Sequence, residues 1–337
     1  MSFRTALVTG ATGLVGTHVV RRLQRDGWHV RALVRDAQRA SALRLEDVEL
    51  SVGDVLDAAS FVRAANGCEV VFHAAAAVTP SGGWEAFRLP NVEGTRNAIA
   101  AVERAGARMV HVSSVAVYGS GTRYRADGVK TDEDTALTPL PETNYYSRSK
   151  RESEALVMDA HRDGRIWATA VRPDVIYGTH DRQFVPRVAK MLSRGFAPII
   201  GGGKTTLAIV NAENVADGVV RAAGVDAAGG RAYNLANDYD VTAEDFFRLA
   251  GIGLNVRLRT LRVPAAAALG AEKLFRMAAP LLPGSRFKAV SFSAVDFLTR
   301  DNPFNSDRAK RELGWNPPVR PEVGVPDAFR WAAAHRE

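Results

Sequence analysis

Thr9-Gly10-Ala11-Thr12-Gly13-Leu14-Val15-Gly16 is the stretch that most narrows what this chain can become. It follows the apolar run Thr5 to Val8 and opens the amphipathic run Leu14 to Arg25, so it reads as strand, glycine turn and helix. In that context each glycine has a physical task. The first, Gly10, allows the tight turn; the second, Gly13, lets the backbone approach a pyrophosphate drawn to the helix N-terminus; the third, Gly16, permits close helix–strand packing. The spacing is Gly-x-x-Gly-x-x-Gly, with an extra residue between the first two glycines.

The rhythm that follows extends this unit into a sheet. Val30 to Val34, Val48 to Val52, Val70 to His73 and Met109 to Ser113 read as buried strands, with helical patterns at Ala58 to Ala65 and Thr95 to Ala105 between them. Ala168 to Arg172 and Ala232 to Leu235 read as later strands of the same sheet. Alternation of this kind predicts an α/β fold, a Rossmann-type doubly wound parallel sheet with right-handed crossovers. After Gly178 the texture loosens, with Pro186, Pro198, Gly201-Gly202-Gly203 and a run of later prolines. A smaller C-terminal α/β substrate lobe, built from helices and loops, is expected there. The predicted division is a dinucleotide-binding domain at 1–177, with returning segments at about 205–237, and a substrate lobe made of 178–204 and 238–337.

Composition removes several alternatives. Apolar residues make up 46% of the 337, ordinary for a globular chain. Cys68 is the single cysteine, so internal disulfides and thiolate metal cages are excluded, and it reads as a small buried apolar residue. No apolar run reaches the ~20 residues that span a bilayer, and because Met1 to Thr5 run straight into the first strand no signal peptide is expected. A cytoplasmic protein without stable membrane insertion is expected. The net charge of +7 is spread along the chain without aromatic interleaving, so no nucleic-acid partner is expected. No His/Cys/Asp/Glu cluster has metal-ligand spacing, and none of the residues is assigned to a metal.

The end of the second strand bears on which dinucleotide is bound. A carboxylate there would take the ribose hydroxyl of NAD, but Val34 and Arg35 occupy the position and Asp36 is read as turning outward. A guanidinium grips a 2′-phosphate through a fork of charge-assisted bonds, so NADP rather than NAD is expected. Asp54 is placed for the adenine amino group. Ala74, Ala75 and Ala76 have side chains small enough for the ribose–nicotinamide segment to pass.

A second constellation lies at Tyr146-Ser147-Arg148-Ser149-Lys150, preceded by Ser113-Ser114. Tyr146 and Lys150 are one helical turn apart and share a face. Lowering a phenol from a pKa near 10 to about 7 takes roughly 4 kcal/mol, which one cation at about 4 Å supplies in a medium of effective dielectric near 20. Lys150 is therefore expected to poise Tyr146. Tyr145 has the wrong spacing for that role, and His73 and His111 read as packed neutral histidines.

These residues resemble the extended short-chain dehydrogenase/reductase family, and the resemblance covers nearly the whole chain. It is carried by the glycine turn, Gly53-Asp54, Phe72-His73-Ala74-Ala75, Asn91-Val92-Glu93-Gly94-Thr95, Ser113-Ser114-Val115-Ala116-Val117-Tyr118-Gly119, Tyr146 to Lys150, and Arg172-Pro173 with Tyr177-Gly178. The resemblance implies Tyr146 as acid/base, Lys150 as its activator and as partner of the nicotinamide ribose, and Ser114 as holder of the substrate oxygen. It also implies cofactor contacts from Thr12, Leu14, Val15, Val55, Ser113, Pro173 and Val175, besides Gly10, Gly13, Gly16, Arg35, Asp54, Ala74, Ala75, Ala76, Tyr146 and Lys150.

Within the family the pattern is similar to 3β-hydroxysteroid-dehydrogenase-like and dihydroflavonol-reductase-like members, with the tail Asp301-Asn302-Pro303-Phe304-Asn305-Ser306-Asp307 shared widely. Nucleotide-sugar members resemble Arg-Pro-x-Asn-x-Tyr-Gly-Pro and carry a diphosphate-gripping arginine after a Gly-x-Gly turn. Here Val175 replaces the asparagine, and Thr206 or Leu207 stands where the arginine is expected. The reading is an NADP-dependent oxidoreductase interconverting a ketone and a secondary alcohol on a hydrophobic small molecule. The alternatives are an NDP-sugar epimerase or dehydratase, and a non-catalytic NAD(P)-binding sensor. A homodimer through Thr95 to Ala105 and Tyr146 to Ala160 is compatible with the pattern. Ala265 to Phe297, rich in Ala, Leu, Phe and Met, suits a lid over an apolar substrate, helix–helix packing or a membrane surface.

Overall fold

In chain order the first strands are β1 (Thr5–Thr9), β2 (His29–Val34), β3 (Val48–Val52), β4 (Val70–His73), β5 (Arg108–Val112) and β6 (Trp167–Pro173). They are followed by β7 (Val175–Tyr177), β8 (Phe196–Ile200), β9 (Ile209–Asn211), β10 (Ala232–Leu235) and β11 (Arg259–Val263). This is a computed structural model, and it describes residues 4–38, 47–78, 81–119, 128–278 and 294–335.

Seven strands form one parallel sheet in the order β10-β6-β5-β4-β1-β2-β3. The chain leaves β1 in one direction through β2 and β3, then returns to the other side of β1 through β4, β5 and β6. The carboxyl ends of β1 and β4 are thus the point where the winding reverses, and loops leaving them diverge to leave a crevice.

The helices are α1 (Leu14–Arg25), α2 (Ala58–Ala65), α3 (Trp84–Arg88), α4 (Gly94–Ala105), α5 (Tyr145–Arg162), α6 (Phe184–Leu192) and α7 (Ala212–Gly224). Then come α8 (Ala243–Leu254), α9 (Ala265–Ala278), α10 (Ala294–Thr299), α11 (Asp307–Glu312) and α12 (Pro321–Ala334). Strand alternation divides their burial between the two faces of the sheet. Ala6, Val8, Phe72 and Val110 pack with Val19, Leu23, Val219 and Trp315 on one face. Leu7, Val71 and Met109 pack with Phe61, Val102 and Val157 on the other. The second face carries α2, α4 and α5.

A further core gathers Tyr177, Val185, Leu192, Ile199, Phe246, Phe297 and Phe329. It contains more strand than its proline-rich sequence predicts: β8 pairs with β11 and β7 with β9, both in parallel. Pro198 lies inside β8, where a two-stranded ribbon leaves one edge without a ladder to satisfy and so tolerates the missing N–H. Residues 279–293 of the stretch read as a lid lie outside the described residues.

Candidate functional site

At the winding reversal the glycine turn meets the loop after β4. Gly10 has φ +67°, and a Cβ there would stand 2.8 Å from both Cα and N of Ala75. Only a hydrogen fits between the two backbones. The Gly13 N–H donates to Gly10 O at 2.8 Å, and Gly13 caps α1 with no side-chain hydrogen bond. The exposed Gly13 therefore leaves the first turn of α1 accessible. Gly16 is needed for another reason: its Cβ would fall on the Gly10 carbonyl. Thr12, Leu14 and Val15 are half-buried along the same turn, and Ala74 and Ala76 flank Ala75 across the crevice.

Arg35 is exposed immediately beyond β2. Beside it, Gly53 N–H donates to Val34 O at 2.9 Å and brings the end of β3 alongside. Asp54 Oδ1 accepts the Leu56 N–H at 2.9 Å, which folds the loop back on itself. Val55 fills the space next to Gly94, the first residue of α4. Arg35, Asp54 and Val55 consequently follow the carboxyl ends of β2 and β3 on one side of the winding reversal, and β5 and β6 lie on the other.

That other end holds Ser113, Ser114, Tyr146 and Lys150. Asn144 caps α5, its side chain accepting from Ser147 N, and the helix carries Tyr146 and Lys150 on one face. Ser114 caps a short 3₁₀ turn at Val115–Tyr118 by accepting the Ala116 N–H at 3.1 Å. Burial pushes the Tyr146 phenol above its ordinary value, and the facing Ser114 side chain pulls it back. Burial and Ser114 are the causes that move the Tyr146 phenol, and Lys150 has a backbone partner of its own. The Lys150 ammonium, buried, donates to the Val112 carbonyl at the end of β5, 2.9 Å away. Burial brings it down to about 8, opposed by the negative charge of Glu154. A desolvated ammonium takes the nearest strong acceptor, and the end of the adjacent strand supplies one.

Sequence reasoning passed over Asn91. It sits in the π-helical turn Leu89–Glu93 between α3 and α4 and is buried at 2% exposure. Its side chain accepts the Ala77 N–H at 2.7 Å, donates to Ala77 O at 3.0 Å and donates to Ser149 Oγ at 2.9 Å. One amide thus ties the loop after β4 to α5, one residue before Lys150. Irregular helical turns of this type mark functional sites, and the Asn91-Val92-Glu93-Gly94-Thr95 motif was the available signal.

His73 and His111 extend the same network as stacked rings with centroids 5.6 Å apart. Thr95 Oγ1 donates to Asn91 O at 2.6 Å, so it accepts from His73 Nε2 at 3.2 Å. Thr9 Oγ1 accepts the Ala75 N–H at 3.2 Å and turns its hydrogen to His73 Nδ1 at 2.9 Å. The hydrogen-bond pattern therefore assigns a neutral His73 with its proton on Nε2. Burial, reinforced by the Lys150 charge, brings its pKa down to about 3, and burial likewise holds His111 well below its usual range.

On the outer side, Arg172 pairs with Glu154 in a buried bidentate contact and donates to the Tyr118 hydroxyl at 2.7 Å. Tyr118 in turn donates to Asn234 Oδ1 at 3.0 Å, and burial pushes its phenol up to about 12. Pro173 ends β6, and Val175 N–H donates to Asp174 Oδ1 at 2.8 Å. Of the positions where nucleotide-sugar members place an arginine, Leu207 is buried at 1% exposure. Thr206 is engaged by Asp301, which accepts from both its backbone N–H and its hydroxyl.

The residues present suit a dinucleotide: a turn that only glycine fits, an accessible helix start, an exposed arginine at one end and a buried lysine at the other. Ser113 adds a buried hydroxyl with no hydrogen-bond partner among the described residues. Among the described residues no group of three or more His, Cys, Asp or Glu side chains is arranged to hold a metal ion. No described helix is long and apolar enough to cross a membrane.

Comparison with known proteins follows the same lines. Residues 6–236 match the NAD dependent epimerase/dehydratase family. Over 331 residues the chain is 31% identical to the 4-hydroxy-2-methyl-3-oxo-4-farnesyl-3,4-dihydroquinoline-1-oxide ketoreductase of Stigmatella aurantiaca, with 96% of this chain and 95% of that one covered. It is 27% identical over 332 residues to the 2-alkyl-3-oxoalkanoate reductase of Shewanella oneidensis, covering 95% and 84% of the two. Among solved structures, the crystal structure of gox2253 superposes with a TM-score of 0.74 at 29% identity, with 98% of each chain covered.

Proposed function

The chain belongs to the NAD dependent epimerase/dehydratase family, the extended short-chain dehydrogenases/reductases, and from that premise we propose that it is an NADP-dependent ketoreductase acting on an apolar small molecule. The observation that carries this reading is the meeting of Ser114 with Tyr146, one helical turn from Lys150, beyond the carboxyl end of β5. When bound, the reduced nicotinamide supplies hydride to the carbonyl carbon.

The chain's own residues handle the oxygen and the proton. Ser114 and Tyr146 hydroxyls face the same point and hold the carbonyl oxygen between them. Tyr146 gives its proton to that oxygen as charge develops, and the Lys150 ammonium favours the phenolate left behind. A phenol raised by burial is fully protonated at neutral pH, the state that reduction needs. Arg35 supports NADP, since an exposed guanidinium follows β2 at the sequence position where a carboxylate would favour NAD.

Three features favour a ketone over a nucleotide sugar. Both relatives named above are reductases whose substrates carry a 3-oxo group. Val175 has no polar group for a sugar, and neither Thr206 nor Leu207 is disposed to grip a diphosphate. The test is an NADPH and NADH titration followed by turnover of alkyl ketones, 3-oxo esters and UDP-sugars, for the wild type and Tyr146→Phe. Reduction of a ketone by the wild type, lowered by about 10²–10⁴-fold in the variant with NADPH binding kept, is expected. Binding of a UDP-sugar without net cofactor turnover would move the chain to the epimerases, and full activity of Tyr146→Phe would exclude the phenol as acid.

A further inference from the structure

Away from the candidate site, the ribbon of β8 and β11 has one face on which exposed apolar and basic side chains coincide. Ala197 and Ile199 of β8 point into the core, buried at 4% and 1% exposure. On that inner side Arg262, the register partner of Ile199, reaches Glu244 of α8 at 3.0 Å. Strand alternation therefore turns Phe196 and Pro198 outward. Their register partners Arg259 and Leu261 stand beside them on the same outer face, one strand spacing of about 4.8 Å away. Phe196 and Leu261 are 50% and 54% exposed, and Arg259 is exposed between them.

The end of α6 leads into this face. Gly195 N–H donates to Leu192 O, and Gly195 O accepts the Arg259 N–H, each at 2.9 Å. The exposed Lys190 and Met191 lie in the last turn of the helix, and the exposed Arg194 lies in the bend just before Phe196. Charge here is one-sided. Neither 182–200 nor 246–271 contains an Asp or Glu. The acids at the start of α8 are taken, Glu244 by Arg262 and Asp245 by Arg248. Among the described residues Lys190, Arg194 and Arg259 make no ion pair.

Single exposed apolar side chains are ordinary. A phenyl and a leucyl group flanking an unpaired guanidinium on one flat ribbon restrict what can cover them. A second copy of the chain fits badly, because a two-fold contact would set Arg259 and Arg194 against their own kind with no carboxylate between. A phospholipid surface answers both halves: its anionic headgroups meet the cations, and its headgroup–acyl boundary takes the ring and the leucine.

We propose that the outer face of the β8–β11 ribbon, with the end of α6, docks on membranes that carry anionic phospholipid. The attachment is peripheral, and it does not depend on the ketoreductase reading.

The experiment is co-sedimentation of the full chain with phosphatidylcholine vesicles, with and without about one third phosphatidylglycerol, at about 0.1 M and 0.5 M salt. Binding to the anionic vesicles alone, weakened at the higher salt, is expected. Arg194→Ala combined with Arg259→Ala should weaken it about 10- to 30-fold, at about 5-fold for each charge removed. Phe196→Ser combined with Leu261→Ser should weaken it at least about 10-fold. Both variants should keep the wild-type melting temperature and NADPH affinity, since none of the four residues belongs to the candidate site. A wild type that ignores anionic vesicles, or binds neutral ones equally, overturns the proposal. Variants that fold and still bind like the wild type overturn it as well. A dimer that light scattering finds in the wild type and not in Phe196→Ser/Leu261→Ser, with no vesicle binding, would make the face a subunit interface instead.

Discussion

Asn91 Nδ2 lies 2.9 Å from Ser149 Oγ, joining residues 58 positions apart in sequence. Ser149 passes its own hydrogen to Tyr146 O at 2.9 Å, so the loop that faces Gly10 and the helix that carries Tyr146 are held by one amide. The amide ties the loop after β4 to the first turns of α5 through Ser149 and the Tyr146 backbone carbonyl.

Asn91→Ala strands the Ala77 N–H, the Ala77 carbonyl and one partner of Ser149. With unsatisfied buried groups costing about 1–3 kcal/mol each and partial relaxation, a loss of roughly 2–4 kcal/mol in stability is expected. Chemical denaturation measures it, and NADPH titration of the folded variant should show weaker binding. Unchanged stability would mean that water replaces the amide.

Gly10→Ala should weaken NADPH and NADH alike. The added methyl meets Ala75 backbone at 2.8 Å in a left-handed conformation, which alone costs about 1–2 kcal/mol for an L-residue. Fluorescence titrations with both cofactors are the check. Selective loss of one of them contradicts the steric account.

Arg35→Ala should discriminate where Gly10→Ala does not. One fork of charge-assisted bonds at about 1.5–3 kcal/mol corresponds to a 10- to 150-fold rise in the NADPH dissociation constant, with NADH nearly unaffected. Equal losses for both cofactors remove the 2′-phosphate from Arg35.

Lys150→Met should change how stability depends on pH. The lysine falls from its ordinary 10.5 to about 8 because of burial. Its folded value is the lower one, so below pH 8 both states are protonated and the full penalty stands. Between pH 8 and 10.5 the unfolded chain binds more protons and the wild type gains stability as pH rises. The gain is about 3 kcal/mol, and a methionine, which does not titrate, cannot show it. Denaturation at pH 7 and pH 10.5 should therefore find the variant-minus-wild-type difference shifting by about that amount against the variant. A difference independent of pH means that Lys150 is not desolvated in solution.

The regular half of the chain was legible. Val48–Val52 and Val70–His73 are strands, and Leu14–Arg25 and Ala58–Ala65 are helices, where apolar periodicity and turn residues place them. The candidate site could be nominated as residue types at spacings, and the structure puts the glycines before α1 and the tyrosine and lysine one turn apart on α5. The pairing of β8 with β11 was not, because Pro198 and the Gly201-Gly202-Gly203 turn mask a short strand whose partner, Arg259–Val263, lies far along the chain. Nor could spacing reveal that Lys150 turns to the Val112 carbonyl, since an i, i+4 relation fixes a shared helix face and not the acceptor on a neighbouring strand.

Sequence by itself determined the order of strands and helices in the first half of the chain, the glycine turn before α1 and the helix face that carries Tyr146 and Lys150. Those are local properties, set by backbone freedom at glycine, by side-chain periodicity and by caps. Tertiary structure alone decided that Asn91 meets Ser149, that Lys150 meets Val112, and that Asn302 meets Ala236. A buried polar group must take whichever distant backbone or side chain packing brings within about 3 Å, and no periodicity in the chain encodes that encounter.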